Sequence, residues 1–261
     1  MKCTIQTLQK YKNKQKITMI TAYDALMARI FDGEVDSILV GDSLAMSFGG
    51  QPDTLPLTID DMIYHTKAVR RVVHHSLLIA DMPFGSYDTP QQALQNATRL
   101  YKEAGTDAVK LEGGLERYEH VRHLADNGIA VMAHIGLKPQ FVRSEGGYKI
   151  KGKTEVEKTQ LIHEVQEFSE AGAFAILLEG VVAETAAVIA RASSVPVIGI
   201  GSGADVDGQV LVWSDAFGFF TDFQPKFVRR YLDGANLLKE ALQRYVNDVK
   251  SGAFPNENES Y

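Results

Sequence analysis

Apolar residues gather along this chain in short, nearly unbroken runs rather than in alternating patterns. Lys16–Thr21 (KITMIT), Asp36–Val40 (DSILV), Leu77–Ala80 (LLIA), Val109–Glu112 (VKLE), Ile129–Ala133, Phe174–Leu178 and Val195–Ile200 (VPVIGI) are such runs, and Gln209–Trp213 (QVLVW) is a weaker eighth. Runs of this kind mark strands buried on both faces, which occur in parallel sheets covered by helices. Helix-length segments separate them, and several begin with clear start signals. Thr58 precedes Asp60 and Asp61, Thr89 precedes Pro90, and Thr154 opens the segment that runs to Ala171; these are an N-cap with first-turn acids, a proline at the first helical position and a second N-cap. Further helices are predicted from Ala25, over 115–127 and over 183–193, with mostly helix after 213.

Eight strand–helix units favour a closed (βα)8 TIM barrel over a doubly wound sheet. Residues 1–261 then read as one barrel domain with a short polar arm at 3–14 and a loose polar tail at 255–261. The stretch 137–153, rich in glycine and lysine, is too long for a plain connection and is a candidate lid.

Composition narrows the class. A formal net charge of −6 argues against nucleic acid, whose phosphates call for a basic patch. The one cysteine, Cys3, excludes an internal disulfide framework and suits a reducing compartment. No apolar run approaches the ~18 residues of a membrane span, and the start lacks the apolar core of a signal peptide, so a cytoplasmic protein is expected.

The candidate chemistry lies at the strand ends. Asp42, Asp81 and Glu112 stand where the second, third and fourth runs finish, His134 follows the fifth, and Glu179 follows the sixth. Lys110 and Glu112 are two apart, so on a strand they share a face. In a barrel all these ends converge on the C-terminal face. Singly, each has an ordinary explanation: a turn aspartate, a salt-bridged Glu112, a core histidine. Together they describe a site. Three neighbouring carboxylates repel one another unless a cation lies between them, and an all-oxygen set suits Mg2+. Zinc is disfavoured by one cysteine and no paired histidines. Such a site can take a 2-oxo acid, with Glu179 as the proton acceptor, Lys110 as positive charge, and Ser43 and His134 as hydrogen-bond donors. A Mg2+-dependent C–C lyase or mutase, a Schiff-base aldolase built on Lys110, and a barrel kept only for binding are the competing readings.

Nine segments, among them ITMITAYD (17–24), LVGDSLAM (39–46), ADMPFGSY (80–87), VKLEGG (109–114), AHIGLKPQ (133–140), GGYKIKGK (146–153), LLEGV (177–181) and PVIGIGSG (196–203), resemble the ketopantoate hydroxymethyltransferase family. The resemblance implies a barrel of the phosphoenolpyruvate/pyruvate type that uses Mg2+ and 5,10-methylenetetrahydrofolate to hydroxymethylate 2-oxoisovalerate in pantothenate synthesis. It implies Asp42, Asp81 and Glu112 as Mg2+ ligands or near-ligands. Asp42, Ser43, Asp81, Lys110 and His134 would surround the oxo acid, with Glu179 as base. It also implies a homo-oligomer, commonly a decamer. Lys138 and Phe141 depart from the smaller residues usual in the HIGLTPQS motif, and Ser214 stands where histidine is common.

Overall fold

The computed structural model describes residues 2–261 and divides into two compact units, Met1–Val212 and Trp213–Tyr261. In the first unit eight parallel strands close into a barrel in sequence order, so each strand pairs with the next and β8 returns to β1. The strands are β1 Ile17–Thr21, β2 Ser37–Val40, β3 Leu77–Asp81, β4 Ala108–Glu112, β5 Val131–Gly136, β6 Ala175–Glu179, β7 Val197–Ile200 and β8 Gly208–Leu211. Helices α1 Ile5–Tyr11, α2 Ala25–Phe31, α3 Leu44–Ser47, α4 Ile59–Arg70, α5 Pro90–Arg99, α6 Tyr118–Asp126, α7 Glu155–Glu170 and α8 Ala183–Ala192 accompany them. β3, β4 and β5 are buried at every position, as strands between a filled barrel and a helical shell must be.

The start signals act as read. Thr58 and Thr154 each form a reciprocal capping box, with Asp61 and Glu157, and Thr89 caps a helix whose first residue is Pro90. Two strands, β5 and β7, begin two residues later than their apolar runs. The N–H of Ile129 is bound to Leu124 O at the end of α6, and Pro196 has no N–H to give a ladder. The α5 segment ends in a wider π turn, Leu100–Ala104, closed by Gly105 at φ 72°.

Interior positions follow strict alternation. Leu77 and Ile79, Ala108, Met132, Ala175 and Leu177 join Ile17, Met19, Leu39, Ile198 and Val210 in one buried cluster, with Leu8 of α1 among them. The eighth strand is weak as a pattern because it starts with Gly208, where a Cβ would lie 2.5 Å from Ile17 O and 2.8 Å from Ile198 Cδ1. Only glycine fits where the barrel closes on itself.

The second unit corrects the expectation of near-continuous helix. α9 spans Trp213–Ala216 and α10 spans Gly234–Ser251, while 217–233 carries no regular element. This stretch holds Gly218 and Pro225, which disfavour a helix interior. Gly234 is the one buried residue of α10. The terminal stretch contains a single capped turn, Glu257–Glu259, with Asn256 at its start.

Candidate active site

The barrel's interior alternation carries the charged residues to its C-terminal end. Continuing two by two from the apolar layer, β3 goes from Leu77 and Ile79 to Asp81. β4 goes from Ala108 to Lys110 and Glu112, β5 from Met132 to His134, and β6 from Ala175 and Leu177 to Glu179. Register sets neighbours side by side: Asp81 opposes Lys110, and Glu112 opposes His134. Asp42 lies two residues beyond the end of β2, and its N–H donates to Asp81 Oδ2 at 2.9 Å.

All five of Asp42, Asp81, Lys110, Glu112 and His134 are less than 5 % exposed. The Lys110 ammonium is 3.1 Å from Asp81 Oδ1 and 3.8 Å from Glu112 Oε1. Burial alone would lower the Lys110 pKa, but Asp81, Glu112 and Asp42 outweigh it and keep the ammonium charged. The carboxyls respond in the opposite sense. Burial, with repulsion from Glu112, pushes Asp42 up to about 6. Burial pushes Asp81 up to about 7 against the pull of Lys110, and burial also raises Glu112. Fully ionised, three carboxylates against one ammonium leave a formal charge of −2, so the cluster must take up protons or a cation.

His134 is a neutral link in this network. Burial and then Lys110 lower its pKa. Lys110 Nζ meets Nδ1 at 3.1 Å and Nε2 faces Leu137 O at 3.0 Å. An ammonium has only donors, so Nδ1 accepts and Nε2 carries the hydrogen. Nε2 also lies 3.4 Å from Glu179 Oε2. The donor expected for substrate is therefore already engaged within the protein. Glu179 itself is 19 % exposed at its side chain, the one carboxylate of the set that faces the open end. Gly136, opposite Glu179 in register, adopts φ 92°, and a Cβ there would come within 2.4 Å of Glu179 O. Ser43, half-buried at the start of α3, shares a 2.8 Å hydrogen bond with Tyr23 Oη.

Two further residues belong to the site and were not singled out in the sequence. Gln140, 3 % exposed, lies in a single turn at Pro139–Phe141. Its Nε2 donates to Asp42 Oδ2 at 2.8 Å and Met82 O at 3.0 Å, and its backbone N–H donates to Glu112 Oε2 at 3.0 Å. Tyr87 Oη donates to Gln140 Oε1 and accepts from Glu112 N–H at 3.3 Å. A polar residue in an aperiodic loop has no pattern to betray it; the only signal was the proline before Gln140. The two departures from the family motif pair with each other: Lys138 Nζ lies 4.4 Å above the Phe141 ring and 3.9 Å from Glu145.

The donor set is suited to a hard divalent cation. Each carboxylate of the cluster has one oxygen held by an N–H, while Asp81 Oδ1 and Glu112 Oε1 face the Lys110 ammonium at 3.1 and 3.8 Å. The three predicted ligands do not close on one point: among the described residues no three His, Cys, Asp or Glu side chains are arranged to hold an ion. The chemistry of the set still fits an ion such as Mg2+, which takes one or two carboxylates and keeps several waters.

The raised carboxyls give the protein a characteristic pH response. A carboxyl whose folded value exceeds its ordinary one binds a proton on folding, so its contribution is complete below the ordinary value and is lost as pH rises through the folded value. For Asp81 that window runs from 3.8 to about 7. In chelator, the Tm of Asp81→Asn minus that of the native chain should therefore rise across this window by calorimetry. A flat difference would mean that Asp81 is not held protonated.

The profile of the ketopantoate hydroxymethyltransferase family matches residues 2–257. The chain belongs to this family. A 3-methyl-2-oxobutanoate hydroxymethyltransferase of Wolinella succinogenes is 63 % identical over 258 residues, covering 99 % of this chain and 98 % of the relative. In fold, the chain is similar to phosphonopyruvate hydrolase, solved with oxalate and Mg2+ (TM-score 0.64, 15 % identity, 99 % of this chain and 93 % of that one). It is also similar to 2,3-dimethylmalate lyase of the PEP mutase/isocitrate lyase superfamily (TM-score 0.60, 16 % identity, 100 % and 92 %). The closed (βα)8 barrel expected from the sequence is thus the one observed.

Proposed function

We propose that this member of the family transfers a hydroxymethyl group to 3-methyl-2-oxobutanoate (2-oxoisovalerate), giving ketopantoate for pantothenate synthesis, with 5,10-methylenetetrahydrofolate as the one-carbon donor. The observation that carries the reading is the division of labour at the barrel mouth in a chain with these relatives: a buried acid–lysine cluster on β2 to β4 faces one accessible carboxylate, Glu179, on β6.

Each residue has a part in this chemistry. Glu179, whose Oε2 lies 3.4 Å from His134 Nε2, takes the proton from C3 of the oxo acid. Lys110 keeps a full positive charge in a dry site, where it is worth most against the negative charge that develops on the oxo-acid oxygens. Ser43, at the half-buried edge beside Tyr23, is placed to donate to the substrate carboxylate. Asp42, Asp81 and Glu112 are the residues that would hold Mg2+. When bound, that ion polarises the 2-oxo group and neutralises the −2 of the cluster. Protons compete for the same oxygens, so divalent-ion affinity should fall as pH is lowered through about 7 and about 6, the values reached by Asp81 and Asp42; titration calorimetry with Mg2+ at pH 5.5 and 8 measures this, and equal affinities would remove these carboxyls from the ligand set.

Assembly of several copies belongs to the same reading. It is supported by the apolar residues left exposed on α10, Leu238, Leu242 and Tyr245 among them, each more than half exposed. A cytoplasmic setting is supported by the free Cys3; no helix among the described residues is long and apolar enough to cross a membrane.

The test is proton NMR of 2-oxoisovalerate in D2O with enzyme and Mg2+, before and after methylenetetrahydrofolate is added. Loss of the C3 proton signal and then ketopantoate are expected. Neither exchange nor product would overturn the reading and favour a C–C lyase.

A further inference from the structure

We propose that Gln140 is the positioning residue of the acidic cluster, fixing the side chains of Asp42 and Glu112 so that the cluster's untethered oxygens are left for a divalent ion. The inference rests on the metal reading above.

The argument begins with which carboxylate oxygens are engaged. Asp42 Oδ2 receives Gln140 Nε2, Asp81 Oδ2 receives the Asp42 N–H, and Glu112 Oε2 receives the Gln140 N–H. The second oxygens of Asp81 and Glu112 are buried, held by no N–H of the backbone or of an amide, and face only the Lys110 ammonium at 3.1 and 3.8 Å. One ammonium does not balance three carboxylates, and a ligand-binding carboxylate is commonly held in this way, one oxygen tethered and the other turned to a cation. Two of the three tethers come from one residue. That residue is not on a barrel strand but in the 137–153 connection, so the loop's placement and the cluster's geometry are a single arrangement.

The orientation of the Gln140 amide is itself determined. Tyr87 Oη accepts from the Glu112 N–H and so directs its own hydrogen to Gln140 Oε1. With Oε1 occupied as an acceptor, Nε2 faces the two acceptors Asp42 Oδ2 and Met82 O. A flipped amide would set carbonyl against carboxylate. β3, through Tyr87 and Met82 in the stretch after its end, β4 through Glu112, and the loop through Gln140 thereby fix an acid that follows β2.

The experiment is binding of Mn2+, a spectroscopic probe for the site, by electron paramagnetic resonance on substrate-free full-length enzyme, with Tm measured alongside. Gln140→Met keeps the length of the side chain and the backbone N–H to Glu112 and removes the Nε2 donor to Asp42. It should weaken Mn2+ binding by about 10- to 100-fold, the usual effect of losing such an outer partner, and Tyr87→Phe should weaken it in the same direction by less. A merely structural role would lower Tm and leave the affinity of the folded fraction unchanged. Native affinity in Gln140→Met overturns the proposal; should that variant not fold, native affinity in Tyr87→Phe overturns it. If the native enzyme itself binds no Mn2+, the metal reading fails first, and this inference with it.

Discussion

Glu179→Gln is expected to fold as the native chain does and to turn over about 10²- to 10⁴-fold more slowly, the contribution of a positioned general base. The substitution keeps the shape of the side chain and an oxygen facing His134 Nε2, 3.4 Å away in the native structure. What it removes is the capacity to take a proton. Because Glu179 is partly open while the cluster on β2 to β4 is buried, oxo-acid and Mg2+ binding should stay near native values, so the loss falls on kcat rather than KM. Exchange of the C3 proton in D2O should disappear together with product formation. A variant that exchanged at the native rate would assign the base elsewhere.

The second large effect is on stability. Lys110→Met should destabilise the protein by about 3–5 kcal/mol, the range for removing one partner of a buried ion pair. Methionine fills most of the lysine's volume, so the loss is electrostatic: Asp81 and Glu112 lose the ammonium at 3.1 and 3.8 Å, and His134 Nδ1 loses its donor. The buried carboxyls then titrate higher still, which makes the deficit smaller at pH 5, where they are neutral, than at pH 8. Urea unfolding at the two pH values measures both the size and the slope. A deficit under about 1 kcal/mol, typical of exposed pairs, would mean that water reaches the cluster.

How far the sequence revealed this architecture depended on whether a residue's environment leaves a periodic trace. The eight runs were legible because both faces of each strand are buried, and Asp42, Asp81, Glu112, His134 and Glu179 were legible because a charge ending an apolar run breaks the pattern at a fixed place. Lys110 could be paired with Glu112 by alternation alone. Gln140 and Tyr87 had no such trace; their roles arise where a loop folds back on the strand ends, which no local spacing encodes. The same holds for His134, whose position was readable but whose hydrogen is committed to Leu137 O. Strand starts at Val131 and Val197 were shifted by a helix-end hydrogen bond and by Pro196, both tertiary or backbone matters rather than hydrophobic ones. The stretch 217–233 was over-assigned to helix because it contains enough apolar residues to imitate one.

The alternation inside β4 also governs which changes in chain length the molecule can absorb. An extra residue inserted between Ala108 and Lys110 would turn the strand's parity over. Val109 and Leu111 would then face the mouth, while an ammonium and a carboxylate would be driven into the apolar layer between barrel and helices. The same insertion in the exposed tip of a connection costs little more than loop entropy. Changes in chain length are therefore absorbed best in the connections, and the spacing of Lys110 and Glu112 behaves as a reading frame.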